Sequence, residues 1–139
     1  MVDTVTSEQR SWNMSKIKGK NTHPELLLRS LLHKAGFRFR LHRKDLPSSP
    51  DIVLPMYRTV IFVHGCFWHR HPNCRNATMP SSRPEFWAEK FKQNLERDAR
   101  NSAALVRAGW KVYIVWECEL RSKKEEILER LSESIRSNN

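Results

Sequence analysis

No stretch of this chain approaches the roughly 18 consecutive apolar residues that a membrane-spanning helix needs, so a helical membrane protein is not expected. The opening residues, MVDTVTSEQRSW, lack the apolar core of a secretory signal, and the expected compartment is the cytoplasm. Internal repeats and low-complexity tracts are absent, which excludes a solenoid or a biased linker. Cysteine is scarce. Three thiols cannot all pair with one another, and in a reducing compartment a thiol is more often free or metal-bound. Acid is in deficit, with 15 Asp and Glu against 25 Lys and Arg, a formal charge of +10. A charge of that size speaks to partners and solubility, not to fold. It fits a plain basic protein or one with a polyanionic partner, above all nucleic acid. The 139 residues suffice for one domain with a real core.

Residues 1–21 read as a polar arm, in which Trp12, Met14 and Ile17 are the large apolar groups after Gln9. Such an arm is either an ordinary frayed terminus or a segment that orders on a partner. Residues 22–139 form the single domain. Thr22-His23-Pro24-Glu25 has the form of a capping box, and Leu27, Leu28, Leu31, Leu32 and Ala35 mark one helical face up to Gly36. Phe37, Phe39 and Leu41 alternate with Arg38, Arg40 and His42, which predicts a half-buried strand with a basic outer face. Asp51–Leu54 and Arg58–His64 predict a strand pair around a turn. A proline-rich loop leads to a second capping box, Ser82-Arg83-Pro84-Glu85, and a helix over about 84–108 with Trp87, Phe91, Leu95 and Leu105 inward. The run from Trp110 to Glu117, apolar on both faces, predicts a central strand. Ser122-Lys123-Lys124-Glu125 predicts the cap of a last helix with Ile127, Leu128, Leu131 and Ile135 inward. The order helix, three strands, helix, strand, helix predicts an α/β sheet with helices packed on it.

The chemistry concentrates between Asp51 and Cys74. Cys66, His71 and Cys74 place three soft ligands in one loop, and Cys118 stands at the end of the strong strand. Four such ligands suit a structural Zn2+, closed to substrate. The competing reading is three unrelated thiols and a surface histidine. If Leu54 pairs with Thr59, Asp51 lies opposite Phe62, with His64 as its diagonal neighbour on the same face. Asp51, His64 and His69 would then form one cluster. A carboxylate suits Mg2+, and the imidazoles suit proton transfer or charge stabilisation during phosphodiester cleavage. The competing reading makes Asp51 a turn residue and the histidines satisfied polar groups. Glu25 is explained by the capping box, although a helix N-terminus can also face a cleft. Phe67, Trp68 and Trp87 are either base-stacking wedges beside positive charge or buried core aromatics.

Ser49-Pro50-Asp51, then FVHGCFWHRHPNC, RPEFWAEKFKQNLERDAR and GWKVYIVWECEL resemble the very-short-patch-repair (Vsr) DNA mismatch endonucleases, over nearly the whole chain from about Trp12. The resemblance implies a restriction-endonuclease-like α/β core with a mixed sheet. It also implies a Mg2+-dependent nick in double-stranded DNA, 5′ to the thymine of a T·G mismatch left by 5-methylcytosine deamination. By the same resemblance Asp51 and the Val63 carbonyl hold Mg2+, His69 activates water, His64 lies by the phosphate and Glu25 supports them. Cys66, His71, Cys74 and Cys118 match the zinc ligands, Phe67, Trp68 and Trp87 the intercalating aromatics. Met14 matches a minor-groove wedge, and Lys90 and Asn94 the readers of the mispair. Mismatch-repair proteins are implied partners, and one nick needs only a monomer. Val63 stands where some members carry Thr, and the strand lacks the second acid and lysine of the wider nuclease superfamily. The rival functions are a zinc-stabilised DNA-binding module without catalysis and an enzyme that cuts ordinary paired sites.

Overall fold

Leu54 lies opposite Thr59, Val53 opposite Val60 and Ile52 opposite Ile61, the register expected from the apolar pattern. The two strands, β2 (Ile52–Leu54) and β3 (Thr59–His64), are joined by a 3-10 turn over Pro55–Tyr57. Arg58 closes that turn in the left-handed region at φ 48°. The computed structural model describes residues 22–41 and 43–137. The expected N-terminal arm, Met14 included, lies outside the described residues.

Alternation along the strands divides the core into two layers. Ile52, Leu54 and Ile61 face Leu28 and Leu32 of helix α1 (His23–Lys34) and Ile127, Leu131 and Ile135 of helix α3 (Glu117–Ser137). Val53, Val60 and Phe62 face Leu105 of helix α2 (Pro84–Arg107). The element order is the expected one, with β1 (Arg40–Leu41) and β4 (Lys111–Trp116) completing a four-stranded sheet in the order β1-β2-β3-β4. The sheet is mixed. β1, β2 and β3 run antiparallel, and β4 pairs parallel to β3 after the α2 crossover. Gly36 and Gly109, both at φ 92°, end α1 and α2 where the sequence predicts. No described helix is long and apolar enough to cross a membrane.

Five expectations are corrected. β4 is an edge strand in the described sheet, and Ile114 is 42% exposed. Both its faces meet helical layers, Tyr113 on one and Val112 on the other, so it reads as apolar all round without being central. Of the expected Phe37–His42 strand, the described residues pair at Arg40 with Val53 and at Leu41 with Ile52; Phe37 is buried before the pairing begins, against Tyr57. The N-cap side chains do not make the bonds that the capping boxes predict. Thr22 and Arg83 make no side-chain cap, and Pro24 and Pro84 set the first turns instead. The last helix starts at Glu117, directly off β4, and kinks at Lys123 (φ −138°, ψ 37°), where the sequence reading began it. In α2, Leu95 is 47% exposed and its expected inward place is taken by buried Asn94.

Candidate metal clamp and active site

The parallel pairing of β3 and β4 sets His64 beside Trp116. The chain leaving each strand therefore emerges at the same end of the sheet. Cys66 lies two residues past His64 and Cys118 two past Trp116, so register alone makes them neighbours. The loop after β3 adds His71 and Cys74. Its turns are tied by His71 N–H to the Cys66 carbonyl (3.0 Å), Cys74 N–H to the His71 carbonyl (3.3 Å) and Ala77 N–H to the Cys74 carbonyl (3.0 Å). The Cys66 amide donates to Glu117 Oε1 at 3.1 Å, fastening the loop to α3.

The four ligand atoms lie within 4.8 Å of one another. His71 Nδ1 is 3.6 Å from Cys66 Sγ and 3.4 Å from Cys118 Sγ. Zinc bonds of about 2.3 Å to sulfur and 2.0–2.1 Å to nitrogen give a tetrahedral S–N edge of about 3.5 Å, so the side chains fit such an ion. The donor chemistry agrees. Burial pushes the Cys66 thiol up to about 12, so a thiolate there requires a compensating cation. The Asn76 amide beside Cys74 holds that thiol below its ordinary range. The expected four-ligand cluster is thus brought together in full.

Asp51 precedes β2 and reaches across to β3, where its Oδ2 accepts from the Val63 amide at 2.7 Å. Burial pushes the Asp51 carboxyl up to about 7 against the pull of that amide, and the Glu25 carboxylate adds to the rise. Glu25 is only 2% exposed and pairs with Arg29. It lies close enough to Asp51 to act on that carboxyl by charge and by a side-chain hydrogen bond.

The histidines are arranged differently from the expected trio. His64 and His69 stack at 3.7 Å and 8°, and His69 Nδ1 donates to Asp98 Oδ2 at 2.6 Å. The compact cluster is His64, His69 and Asp98; Asp51 stands outside it but feels the charge of His69. Burial works to raise Asp98, yet the hydrogen bond and charge of His69 outweigh it and hold the carboxyl below its ordinary range. Burial, with His69 beside it, lowers His64 to about 4, so it is neutral at physiological pH. Trp116 joins the two sites: His71 lies flat on it at 4.1 Å and His64 meets its edge at 5.3 Å.

Asp98 was missed because a charged residue in a helix usually faces solvent. A signal did exist: Phe91, Asn94, Asp98 and Leu105 recur at spacings of three, four and seven, one face of α2 with polar groups inside it.

Phe67, Trp68 and Trp87 are half-buried and share one cluster, with ring centroids 5.2–5.8 Å apart, rather than lying in the core. Phe91 is the buried member beneath them, 5.2 Å from Phe67. Asn94 donates to the Trp68 carbonyl at 3.4 Å. Lys90 lies half-buried between Trp87 and Asn94 on the helix. Phe86, which the sequence reading passed over, extends the patch and is 47% exposed.

Comparison with known proteins gives the same direction. The family described as DNA mismatch endonuclease Vsr matches residues 2–76, which include Asp51, both site histidines and three of the four clamp ligands. The chain is 53% identical over 120 residues to the Type II nicking enzyme V.XorIIP of Xanthomonas oryzae pv. oryzae, covering 86% of this chain and 88% of that protein. It is 46% identical to the Type II nicking enzyme V.NmeAIP of Neisseria meningitidis serogroup A, over 98% of both chains. To the DNA mismatch endonuclease Vsr of Escherichia coli K12 it is 45% identical, over 97% of this chain and 88% of that one. The mixed sheet between helical layers is the restriction-endonuclease-like α/β fold. Likeness of this extent, reaching past the cleft to Cys118 and the last helix, leaves one assignment: the chain belongs to the Vsr family of DNA mismatch endonucleases.

Proposed function

We propose that the protein nicks one strand of double-stranded DNA 5′ to the thymine of a T·G mismatch, using Mg2+, and so opens very short patch repair. The observation that carries this reading is the pairing of His69 with Asp98 beside the buried Asp51 carboxyl, at the strand end that also bears the aromatic cluster.

Asp51 and Glu25 offer hard oxygen donors, and the reluctance of buried Asp51 to ionise alone is what a cation would relieve. The Val63 carbonyl, next to the amide that orients Asp51, is the third donor in this reading. Bound there, Mg2+ supplies polarisation of the phosphate and charge stabilisation for the leaving oxygen. His69 does the proton chemistry. Its Nδ1–H points at Asp98, which leaves Nε2 with the lone pair that takes a proton from the attacking water. Asp98 fixes the ring and balances the imidazolium. His64, neutral in the free protein, hydrogen-bonds the phosphate rather than meeting it as a cation.

Cys66, His71, Cys74 and Cys118 hold a structural Zn2+. Phe67, Trp68 and Trp87 wedge beside the mispair, with Lys90 and Asn94 against its edges and Met14 of the arm in the minor groove. A mismatch is cheaper to unstack than a paired step, which turns wedging into selectivity. One cleft serves one strand, so the protein works as a monomer, in the cytoplasm, and mismatch-repair proteins take over the nick.

The test is nicking of two duplexes that differ only in T·G against paired T·A, with Mg2+ or with EDTA. Cleavage of the thymine strand of the T·G duplex alone, lost in EDTA, is expected. Equal cutting of the paired duplex, or no cutting with tight binding, would favour one of the rival functions. Replacing Asp98 by Asn is expected to lower kcat by about 10²-fold or more, since the flipped amide can donate to Nδ1 and so place the ring proton on Nε2, with DNA affinity retained. A single-turnover rate near wild type would remove Asp98 from the mechanism.

A further inference from the structure

Arg70 sits in the clamp loop in the left-handed region, at φ 51°, and its side chain lies back over the loop. Its Nη1 donates to the Phe67 carbonyl at 3.2 Å and to the Thr78 carbonyl at 3.0 Å, and its Nη2 to the Ala77 carbonyl at 2.9 Å. The guanidinium carbon lies 4.0 Å from the centre of the Phe91 ring and 5.6 Å from that of Phe67. One half-buried side chain thus ties the start of the loop, its far limb and helix α2 together at the base of the aromatic cluster.

We propose that Arg70 is a positioning residue for mismatch selectivity: its fork over three backbone carbonyls, seated on Phe91, presets Phe67 and Trp68 for wedging, and it is not a phosphate contact. The proposal rests on the wedge reading above.

The geometry supports it in two ways. A planar guanidinium can serve several carbonyls at once while lying on a ring; an ammonium, a compact point donor, cannot do both. Its donors are also turned toward protein carbonyls, whereas a phosphate-tracking arginine keeps them free. A wedge held ready loses less freedom on entering DNA than one that must first be ordered. The benefit falls on the mismatched duplex, where the wedge enters, and not on general affinity.

The experiment uses the full zinc-loaded chain with Mg2+ omitted, and measures binding to T·G and T·A duplexes across a salt series. Arg70→Met and Arg70→Lys are both expected to lower the T·G-to-T·A affinity ratio by about tenfold or more, because neither keeps the fork. Affinity for the paired duplex, its salt slope and the bound zinc are expected to stay as in wild type. An unchanged ratio in both variants overturns the proposal. So does a phosphate-contact signature, in which Arg70→Met weakens both duplexes alike and reduces the salt slope by about 0.9, while Arg70→Lys behaves as wild type. Loss of zinc from both variants also overturns it, by assigning Arg70 to the clamp. A Phe67→Ala control separates the two levels: if wild type shows no T·G preference, or Phe67→Ala keeps it, the wedge reading fails whatever Arg70 does.

Discussion

Asp51→Asn is expected to lower nicking of a T·G duplex by about 10³-fold or more, through loss of the anionic metal donor, and to leave duplex affinity close to wild type. The same substitution should stabilise the protein when no divalent ion is present. Asn is the near-isostere of the protonated acid. Its carbonyl can still accept from the Val63 amide, and its NH2 faces Glu25.

The sign follows from Asp51 being pushed up to about 7 from 3.8. Below pH 4 the carboxyl is protonated in both the folded and the unfolded chain. Between pH 4 and 7 the folded chain keeps a proton that the unfolded chain has released, so stability drains away as pH rises. Above pH 7 the loss is complete. In EDTA the advantage of Asn should therefore be small at pH 4.5 and grow to about 2–4 kcal/mol at pH 8. Mg2+ should reverse the order, since it stabilises only the chain that binds it. Urea unfolding at the two pH values, with and without Mg2+, measures all of this. Equal stability at pH 8 in EDTA would mean that Asp51 is not a strained, cation-seeking acid.

How much of this site the sequence disclosed depends on the kind of contact. The clamp was legible because thiols are few and all three fall, with His71, where a single ion can use them. The β2–β3 register was legible because a one-residue slip would turn Ile52, Leu54 and Ile61 out of their layer. Contacts between layers were not. Periodicity gives the face of a strand but not which helix covers it, so the residue pattern left Glu25 open between a cap and a cleft residue, and only the family resemblance set it beside Asp51. Asp98 was hidden for the same reason, since its partner comes from a loop 29 residues away. The edge position of β4 was illegible because helices on both faces produce the apolar run that a central strand also shows.

Breaking the clamp should have a large and local effect. The segment 65–83 carries no helix or strand and contains three left-handed residues, Arg70, Asn73 and Arg83. Its one buried apolar residue is Cys66. Besides the four ligands it is held by polar ties, Arg70 to three loop carbonyls, His69 to Asp98 and Asn94 to the Trp68 carbonyl, and by the half-buried aromatics. Such hydrogen bonds contribute about 1 kcal/mol each, whereas structural zinc sites in small peptides contribute about 10–16 kcal/mol of apparent binding free energy. The two packed layers of the sheet contain none of these ligands. Cys118→Ala, or removal of zinc by a chelator, is thus expected to free the loop while the sheet stays folded. Because Phe67, Trp68 and His69 all ride on that loop, nicking should fall by about 10²-fold or more even at saturating Mg2+, on the measure of catalytic groups losing their geometry. Trypsin should gain access at Arg70 and Arg75, and far-UV circular dichroism should change little. Zinc should restore the stripped wild type, but Mg2+ should not, because thiolates select the softer ion. Full nicking by a zinc-free Cys118→Ala protein would show that the loop holds its shape unaided; collapse of the whole sheet would show instead that the ion supports the core.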